Sequence, residues 1–392
     1  MSAYFRFMRG EDTWRCPPDG WLVLGLMSGT SVDGLDVAMT RVQAIHKGGH
    51  ACSPESYQWD VKLEAFTTLD YPSELRASLW GAMELPAEKL AALDWEWSRW
   101  SGQAVLHWLS EGGHPRPHLV SSHGHTVFHR PEHGWTLQLG CGATLHAVLE
   151  APVVHDLRRL DVALGGQGAP LVPLADKLLF GTWDAALNLG GFANVSLDDA
   201  NGQRVAWDVG PANLLLNHLV KPLGMDMDRD GALAAEGRVD ANLLKSWQSL
   251  SYHEMAPPKS LGREWLEKEV IPVLASHDHL PVQDVLATAV AYIADMVVQE
   301  LPAGMGVLVT GGGAFNGALM EALRQKGKAK RLSWHLPDPS MIHGKEAYVF
   351  AWLGLLRWLG MTNTIQSVTG AQSASAGGAL WGPGPHEVDR SA

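Results

Sequence analysis

Four histidines, His123, His125, His129 and His133, stand close together in the chain. Imidazoles spaced HxHxxxHxxxH can bind zinc, and His123 and His125 would then share one face of a strand. No aspartate sits at ligand spacing among them, and Gly124-His125-Thr126 reads as a strand end entering a turn. Hydrogen bonding to sugar hydroxyls, by His123 above all, is the competing use, and the metal question stays open. Farther on, Asp156 follows the apolar run 151–154 and precedes Arg158, Arg159 and Asp161. A carboxylate at a strand end is placed for general-base work in an α/β crevice; the plainer use is a salt bridge to the neighbouring arginines. Arg158 or Arg159 can clamp a carboxylate or a transferred phosphoryl group. Asp208, opening the segment DVGPAN, can orient a substrate or hold magnesium through water. Glu346, in HGKEA, either meets a ligand or is a carboxylate favoured at a helix N-terminus.

Glycines supply the complementary chemistry. Ser28-Gly29-Thr30-Ser31 and Gly190-Gly191 each close an apolar strand, and small residues there let backbone N–H groups approach a polyphosphate. A strand at 305–310 followed by Gly311-Gly312-Gly313 and a helix at 315–325 is a third such junction. There is no GxxxxGK[ST] loop and no dinucleotide fingerprint after the first strand, so an ATP site here fits the actin-like mode.

The elements that must position these residues occur twice. Strands are expected at 21–27, 35–42 and 57–65, the last from strict alternation of apolar and polar residues. Leu90, Leu93, Trp97, Trp100, Ala104 and Trp108 then mark one helix face, and short strands follow at 119–120 and 151–154. From residue 184 the series restarts, with strands at 185–189, 194–197 and 204–207, a helix after Pro211, and a last strand at 331–335. Two hairpins with glycine-, serine- or threonine-rich turns in matching positions imply a duplicated α/β domain.

Composition narrows the function classes. Thirty basic against 42 acidic residues, net −12, argues against a nucleic-acid surface. No run approaches the ~20 apolar residues that span a bilayer, so no membrane partner is expected. The polar N-terminal residues lack the apolar core of a signal peptide, and the isolated Cys16, Cys52 and Cys141 fit a reducing, cytoplasmic setting. Residues 1–20 are too few for a helix-turn-helix, which disfavours a sugar-sensing regulator.

With GLMSGTSVDGLD at 25–36, DLRRLDVALGGQGAPLVP at 156–173 and NLGGFANVS at 188–196, the sequence resembles the anhydro-N-acetylmuramic acid kinases. SHGHT at 122–126, DVGPAN at 208–213, PPKSLGR at 257–263, TGGGAFN at 310–316, Glu346-Ala347 and SVTGA at 367–371 match in order, so the resemblance runs from about residue 22 to the C-terminus. It implies an α/β fold, the duplicated actin-like (ribonuclease-H-like) two-domain kinase with a central cleft. It also implies an ATP- and Mg2+-dependent enzyme that opens the 1,6-anhydro ring of a cell-wall amino sugar and phosphorylates O6. By the same resemblance Asp156 is the catalytic base. Gly29, Thr30, Ser31, Val32, Asp33, Gly34, Leu35 and Asp36 hold phosphates. Gly190, Gly191 and Asn194 form the second phosphate face, and Gly311, Gly312, Gly313 and Asn316 the adenosine site. His123, Thr126, Arg158, Asp208 and Glu346 meet the sugar. A homodimer is implied, with domains at 1–155 (completed by about 360–392) and 156–359, the latter with an insertion at about 220–300. The chain departs from the family pattern at His125, where glutamine is usual, at Val209 and Ala212 of DVGPAN, and at Cys141, where an acidic or amide residue is expected. A related anhydrosugar, or a non-catalytic nucleotide switch of the same superfamily, are the alternatives; a histidine-based metallohydrolase is a further rival.

Overall fold

The computed structural model describes residues 16–385 apart from 30 and 258. Twelve strands occur among them: β1 (Trp21–Ser28), β2 (Gly34–His46), β3 (Tyr57–Asp70), β4 (Leu119–Arg130), β5 (Trp135–Leu139), β6 (Val153–His155), β7 (Ala185–Leu189), β8 (Phe192–Asp198), β9 (Arg204–Pro211), β10 (Gly306–Thr310), β11 (Ser333–His335) and β12 (Ala379–Trp381). They form two sheets, ordered β12-β6-β4-β1-β2-β3, with β5 added beside β4, and β11-β10-β7-β8-β9. In both, an antiparallel three-stranded meander leads into parallel partners: β1 pairs β4 in parallel and β7 pairs β10 in parallel. The shared order third-second-first-fourth-fifth is the duplicated ribonuclease-H-like, actin-type architecture expected from the repeated pattern.

The chain divides into two compact units, Met1–Leu179 with Gly344–Ala392, and Phe180–His343. The boundaries expected at 155/156 and 359/360 therefore fall inside the first unit. Two contacts explain the shift. Gln167 N–H and the Asp161 carboxylate bond the backbone and hydroxyl of Thr369, tying 156–179 to the C-terminal segment. The helix Pro339–Trp358 lies flush on the first sheet: a Cβ added at Gly25 would collide with the carbonyl of Ala347, and one at Gly354 with Ser121 Oγ. Ser121 Oγ donates to the Phe350 carbonyl there at 2.6 Å.

Every residue of β1 is buried, as a central strand covered on both faces requires. On the opposite side of that sheet packs the helix Ala87–Glu111. Its buried line is Leu93, Trp97, Ser101, Val105 and Leu109; Trp100, Ala104 and Trp108 sit at its margin, so the expected stripe is rotated. In the second unit the helix Val282–Glu300 is buried on nearly all faces against Leu187, Val195 and Val309. It is the one described helix long and apolar enough to cross a membrane, and its burial makes it a core helix. It also lies inside the stretch anticipated as an insertion, which it shows to be part of the fold.

Candidate functional site

The turn joining β1 to β2 is built from residues with opposite tasks. At Gly29 an added Cβ would meet nothing nearer than Ser31 Oγ at 3.5 Å, so packing within the chain does not demand glycine there. Gly34 is different, because a Cβ would press on Thr68 Cγ2 at 2.7 Å and the Leu69 carbonyl at 2.8 Å. Val32 is buried with φ 55°, a left-handed backbone that strains a β-branched residue. Leu35 is buried in the core too, so the side chains of Val32 and Leu35 anchor the turn by packing inside the first unit. Ser31 and Asp33 are exposed, and Asp36 accepts from Thr68 Oγ1 at 2.6 Å. Thr30 lies outside the described residues.

Ser28, the last residue of β1, joins a buried chain of side chains. Trp97 Nε1 donates to the Tyr71 hydroxyl at 3.2 Å, which donates to Ser28 Oγ at 2.7 Å, and Ser28 lies 2.9 Å from His125 Nδ1. Strand β4 does not end at His125, as expected, but runs on to Arg130, because Gly124 adopts φ 78° and β5 pairs with the continuation. The β1–β4 register slips between Leu26 and Met27, which face Ser122 and Gly124, leaving His123 as the extra residue. Consequently the two histidines part company. His123 packs on the Phe350 ring, with centroids 4.5 Å apart, while His125 turns to Ser28. This geometry overturns the shared face that a zinc site would need, and no group of three His, Cys, Asp or Glu side chains converges among the described residues.

Asp156 follows β6 with φ 58°, a strained conformation outside glycine. Its Oδ2 lies 3.0 Å from Arg159 Nη1, and the side chain is 16% exposed. Arg158 turns the other way: Nε donates to His123 Nε2 at 2.8 Å and Nη1 to the Gly168 carbonyl at 2.7 Å. Glu346 touches solvent yet is crowded by protein; that surrounding raises its pKa, with Arg158 opposing and Asp36 reinforcing the rise. Reciprocally, desolvation lowers the Arg158 guanidinium to about 10 against the pull of Glu346 and Asp161. Thus Arg158, His123, Glu346 and Asp36 form one electrostatic group. Thr126 accepts only a long bond, 3.4 Å, from Gln138.

Three residues given no role from the sequence, Asp161, Asp94 and Ser98, fix the loops around this group. Asp161, fully buried, accepts from Gly168 N at 2.8 Å and Thr369 Oγ1 at 2.7 Å, which fixes the GGQGAPLVP loop. Asp94 accepts from Gly140 N at 2.5 Å, and Ser98 Oγ accepts from Cys141 N at 2.7 Å. Burial raises the Asp94 pKa, offset by the Gly140 and Cys141 N–H groups; Asp156 is close enough to add to the rise. The available signal was polar Asp94, Ser98 and Ser101 along an otherwise apolar helix face. Cys141 itself accepts from Thr144 Oγ1 at 3.3 Å.

In the second unit, Gly190 and Gly191 join β7 to β8. Their carbonyls accept from Asn213 N at 3.1 Å and from Ala212 and Leu214 N at 2.9 and 3.1 Å, so the turn caps the helix Asn213–Val220. That helix starts beyond Pro211, which ends β9. A Cβ at Gly311 would collide with Asn188 Oδ1, and one at Gly313 would approach Leu189 Cβ to 2.7 Å, so both glycines bring β10 against β7. Gly312 is free of such contact, its nearest neighbour being Asn213 Nδ2 at 3.5 Å. Asn316 caps the helix Gly317–Gly327, its Oδ1 accepting from Leu319 N at 2.9 Å. Cross-strand pairing puts Asn188, Asn194 and Asp208 in one row. Asp208 Oδ2 accepts from Leu261 N at 2.8 Å, tethering the PPKSLGR segment, and burial raises its pKa against that bond.

The family model described as anhydro-N-acetylmuramic acid kinase matches residues 21–383. Relatives so named include one from Parasynechococcus marenigrum (strain WH8102), 35% identical over 89% of this chain and 96% of its own length. Another, from Pseudomonas fluorescens (strain Pf0-1), is 34% identical over 92% of this chain and 99% of its own. Among solved structures, the activator of the 2-hydroxyisocaproyl-CoA dehydratase from Clostridium difficile aligns with a TM-score of 0.38 and 14% identity over 84% of this chain and 94% of its own, too remote to build on.

Proposed function

The chain belongs to the anhydro-N-acetylmuramic acid kinase family, and from that premise we propose how its own residues carry out the reaction. The enzyme is an ATP-dependent sugar kinase that opens 1,6-anhydro-N-acetylmuramic acid with water and phosphorylates O6 to give N-acetylmuramic acid 6-phosphate, a step of cell-wall amino-sugar recycling.

Asp156 takes a proton from water as the water oxygen attacks the anomeric carbon. The C1–O6 bond breaks, O6 attacks the γ-phosphorus, and ADP leaves. The strained backbone at Asp156, beyond the carboxyl end of β6, is the observation that carries this assignment. Arg158 has Nε and Nη1 committed within the protein, and Nη2 remains to clamp the substrate carboxylate or the moving phosphoryl group. Glu346 flanks it as a sugar contact, while His123, its ring nitrogens bonded to Arg158 and the Gly124 carbonyl, steadies the guanidinium, and Thr126 lies three residues farther along β4 towards the sugar. Backbone N–H groups of Gly29, Ser31 and Asp33 cradle phosphates in the first unit; within the second unit Gly190, Gly191 and Asn194 form a phosphate-binding turn, and Gly312, between packed Gly311 and Gly313, borders the adenosine. Asn316 and Asp208 serve mainly by fixing the segments they bond.

Mg2+ is the expected counter-ion of ATP. A cation that keeps most of its water needs one or two carboxylates besides phosphate, and the mutually repelling Asp36 and Glu346 suit that demand. We place the enzyme in the cytoplasm, where ATP is available, as a homodimer; analytical ultracentrifugation tests the latter. The deciding experiment incubates the purified chain with ATP, Mg2+ and 1,6-anhydro-N-acetylmuramic acid. Sugar-dependent ADP release with formation of the 6-phosphate is expected. ADP release indifferent to the sugar would sink the assignment.

A further inference from the structure

We propose that His125 is a fixed hydrogen-bond donor, presenting Nε2–H to an acceptor oxygen of the bound sugar or phosphoryl group, and that a one-way chain of buried hydrogen bonds starting at Trp97 sets its tautomer. The proposal rests on the kinase assignment for the identity of the ligand, but its structural half stands apart from it.

The direction of the chain follows from donor inventory. An indole N–H can only donate, so the Tyr71 oxygen must accept from Trp97. The Tyr71 proton then has one other partner, Ser28 Oγ at 2.7 Å. Were Ser28 to donate to Tyr71 instead, the phenol proton would be stranded in a buried site, an arrangement proteins avoid. Having accepted, Ser28 places its own proton on His125 Nδ1 at 2.9 Å. With Nδ1 an acceptor, the neutral ring carries its proton on Nε2. Burial reinforces neutrality, lowering the His125 pKa to about 4. All four groups are buried: Trp97 is 0% exposed, Tyr71 4%, Ser28 1% and His125 3%.

His123 shows the opposite state in the same strand. Its Nε2 accepts from Arg158 at 2.8 Å, so Nδ1 carries the proton and donates to the Gly124 carbonyl at 2.9 Å. Both His123 nitrogens are thereby used within the protein, whereas His125 Nε2–H makes no hydrogen bond among the described residues. It lies beside Ser28, where β1 meets the phosphate turn. A glutamine at this position would offer a donor and an acceptor; the imidazole offers a donor only. The ligand atom it serves must therefore be an ether, carbonyl or phosphoryl oxygen, or a hydroxyl in its accepting role.

Two measurements test this. In 15N-histidine-labelled wild-type protein at neutral pH, long-range 1H–15N spectra should show His125 as the Nε2–H tautomer. That proton should move downfield on adding 1,6-anhydro-N-acetylmuramic acid, if the acceptor is on the sugar, or on adding a non-hydrolysable ATP analogue, if it is phosphoryl. An Nδ1–H tautomer, an imidazolium, or a resonance indifferent to both ligands overturns the proposal. In kinetics, H125L should lower kcat/KM by about 10- to 100-fold, through KM for the sugar or through kcat according to which oxygen is bound. H125Q, which keeps an N–H donor, should recover part of the loss. Wild-type constants in folded H125L overturn it; if H125L does not fold, the spectra decide. Absence of sugar-dependent turnover in the wild type would refute the kinase assignment while leaving the tautomer result to stand or fall alone.

Discussion

Replacing Asp156 by asparagine separates the catalytic role proposed for this carboxylate from its salt bridge. The left-handed φ of 58° is one that asparagine tolerates better than most residues, so the backbone should survive the change. The lost partner is Arg159, 55% exposed, and an ion pair so open to solvent is worth no more than about 1 kcal/mol, a shift of roughly 2–4 °C in Tm. Removing a general base costs ~10²–10⁴ in kcat, which is about 2.7–5.4 kcal/mol of barrier at 1.36 kcal/mol per decade. The two effects are thus distinct in size. D156N should keep its fold and its ATP affinity, measured by calorimetry, while steady-state release of sugar 6-phosphate collapses. R159A provides the control: it removes the same ion pair but keeps the carboxylate, so its kcat should fall a few-fold at most. D156N turnover within tenfold of wild type, or equal losses in both variants, would refute the reasoning.

Further outcomes follow from other contacts. Gly190→Val sets its Cβ a tight 3.2 Å from Asn188 Nδ2, which the side-chain amide must yield slightly to admit, while its branches intrude on a phosphate; ATP affinity should drop by calorimetry with Tm lowered only slightly, and unchanged affinity would make the turn purely structural. Asp161→Ala orphans the Gly168 N–H, at about 1–3 kcal/mol, and leaves the Thr369 hydroxyl only a long 3.4 Å bond to the Ile365 carbonyl, so Tm should fall by several degrees; an unaltered melting curve would contradict the clasp. His125 and His253 are held down to about 4 from an ordinary 6.5 by burial. Between those values the unfolded chain binds more protons, so the histidine contribution to stability is present above pH 6.5, erodes as pH falls towards 4, and changes no further below it. Raised Asp94 and Asp208 act in the opposite sense, so the comparison to make is Tm against pH for wild type and H125Q. A slope in that window no shallower in H125Q would contradict the assignment for His125.

Much of the architecture was legible because it rests on local signals. The apolar runs of β1 and β7, the alternation in β3 and the glycine turns after β1 and β7 are all patterns a single strand or turn imposes on its own residues. Strand β7 fell on the residues anticipated, and β10 within one residue of them. What escaped depends on distant partners. Strand β4 reads as two apolar residues followed by a polar run, and its buried serines and histidines become strand only because β1, β5 and β6 flank them. The division at 179/180 was hidden because Asp161 and Thr369, 208 residues apart, hold the loop to the first unit. At the candidate site, residue types pointed to Asp156, Arg158 and Glu346. They could not distinguish ligand contacts from anchors: Val32 and Leu35 went to the core, Asn316 to a helix cap.

The flush seat of the helix Pro339–Trp358 on β1 and β4 has a bearing on how such a pocket can change. At Gly25 the strand meets the Ala347 carbonyl with no side chain between the layers, and at Gly354 only the Ser121 hydroxymethyl group intervenes, so there is little cushion to absorb an added methyl group. Glu346, next to Ala347 on that helix, is therefore mounted without play: one carbon at Gly25 displaces the carboxylate itself. Selection for a different sugar has little latitude along this seam, and finds it at the strand ends instead. There, side chains such as His125 and Cys141 depart from the family pattern without moving the frame that holds them.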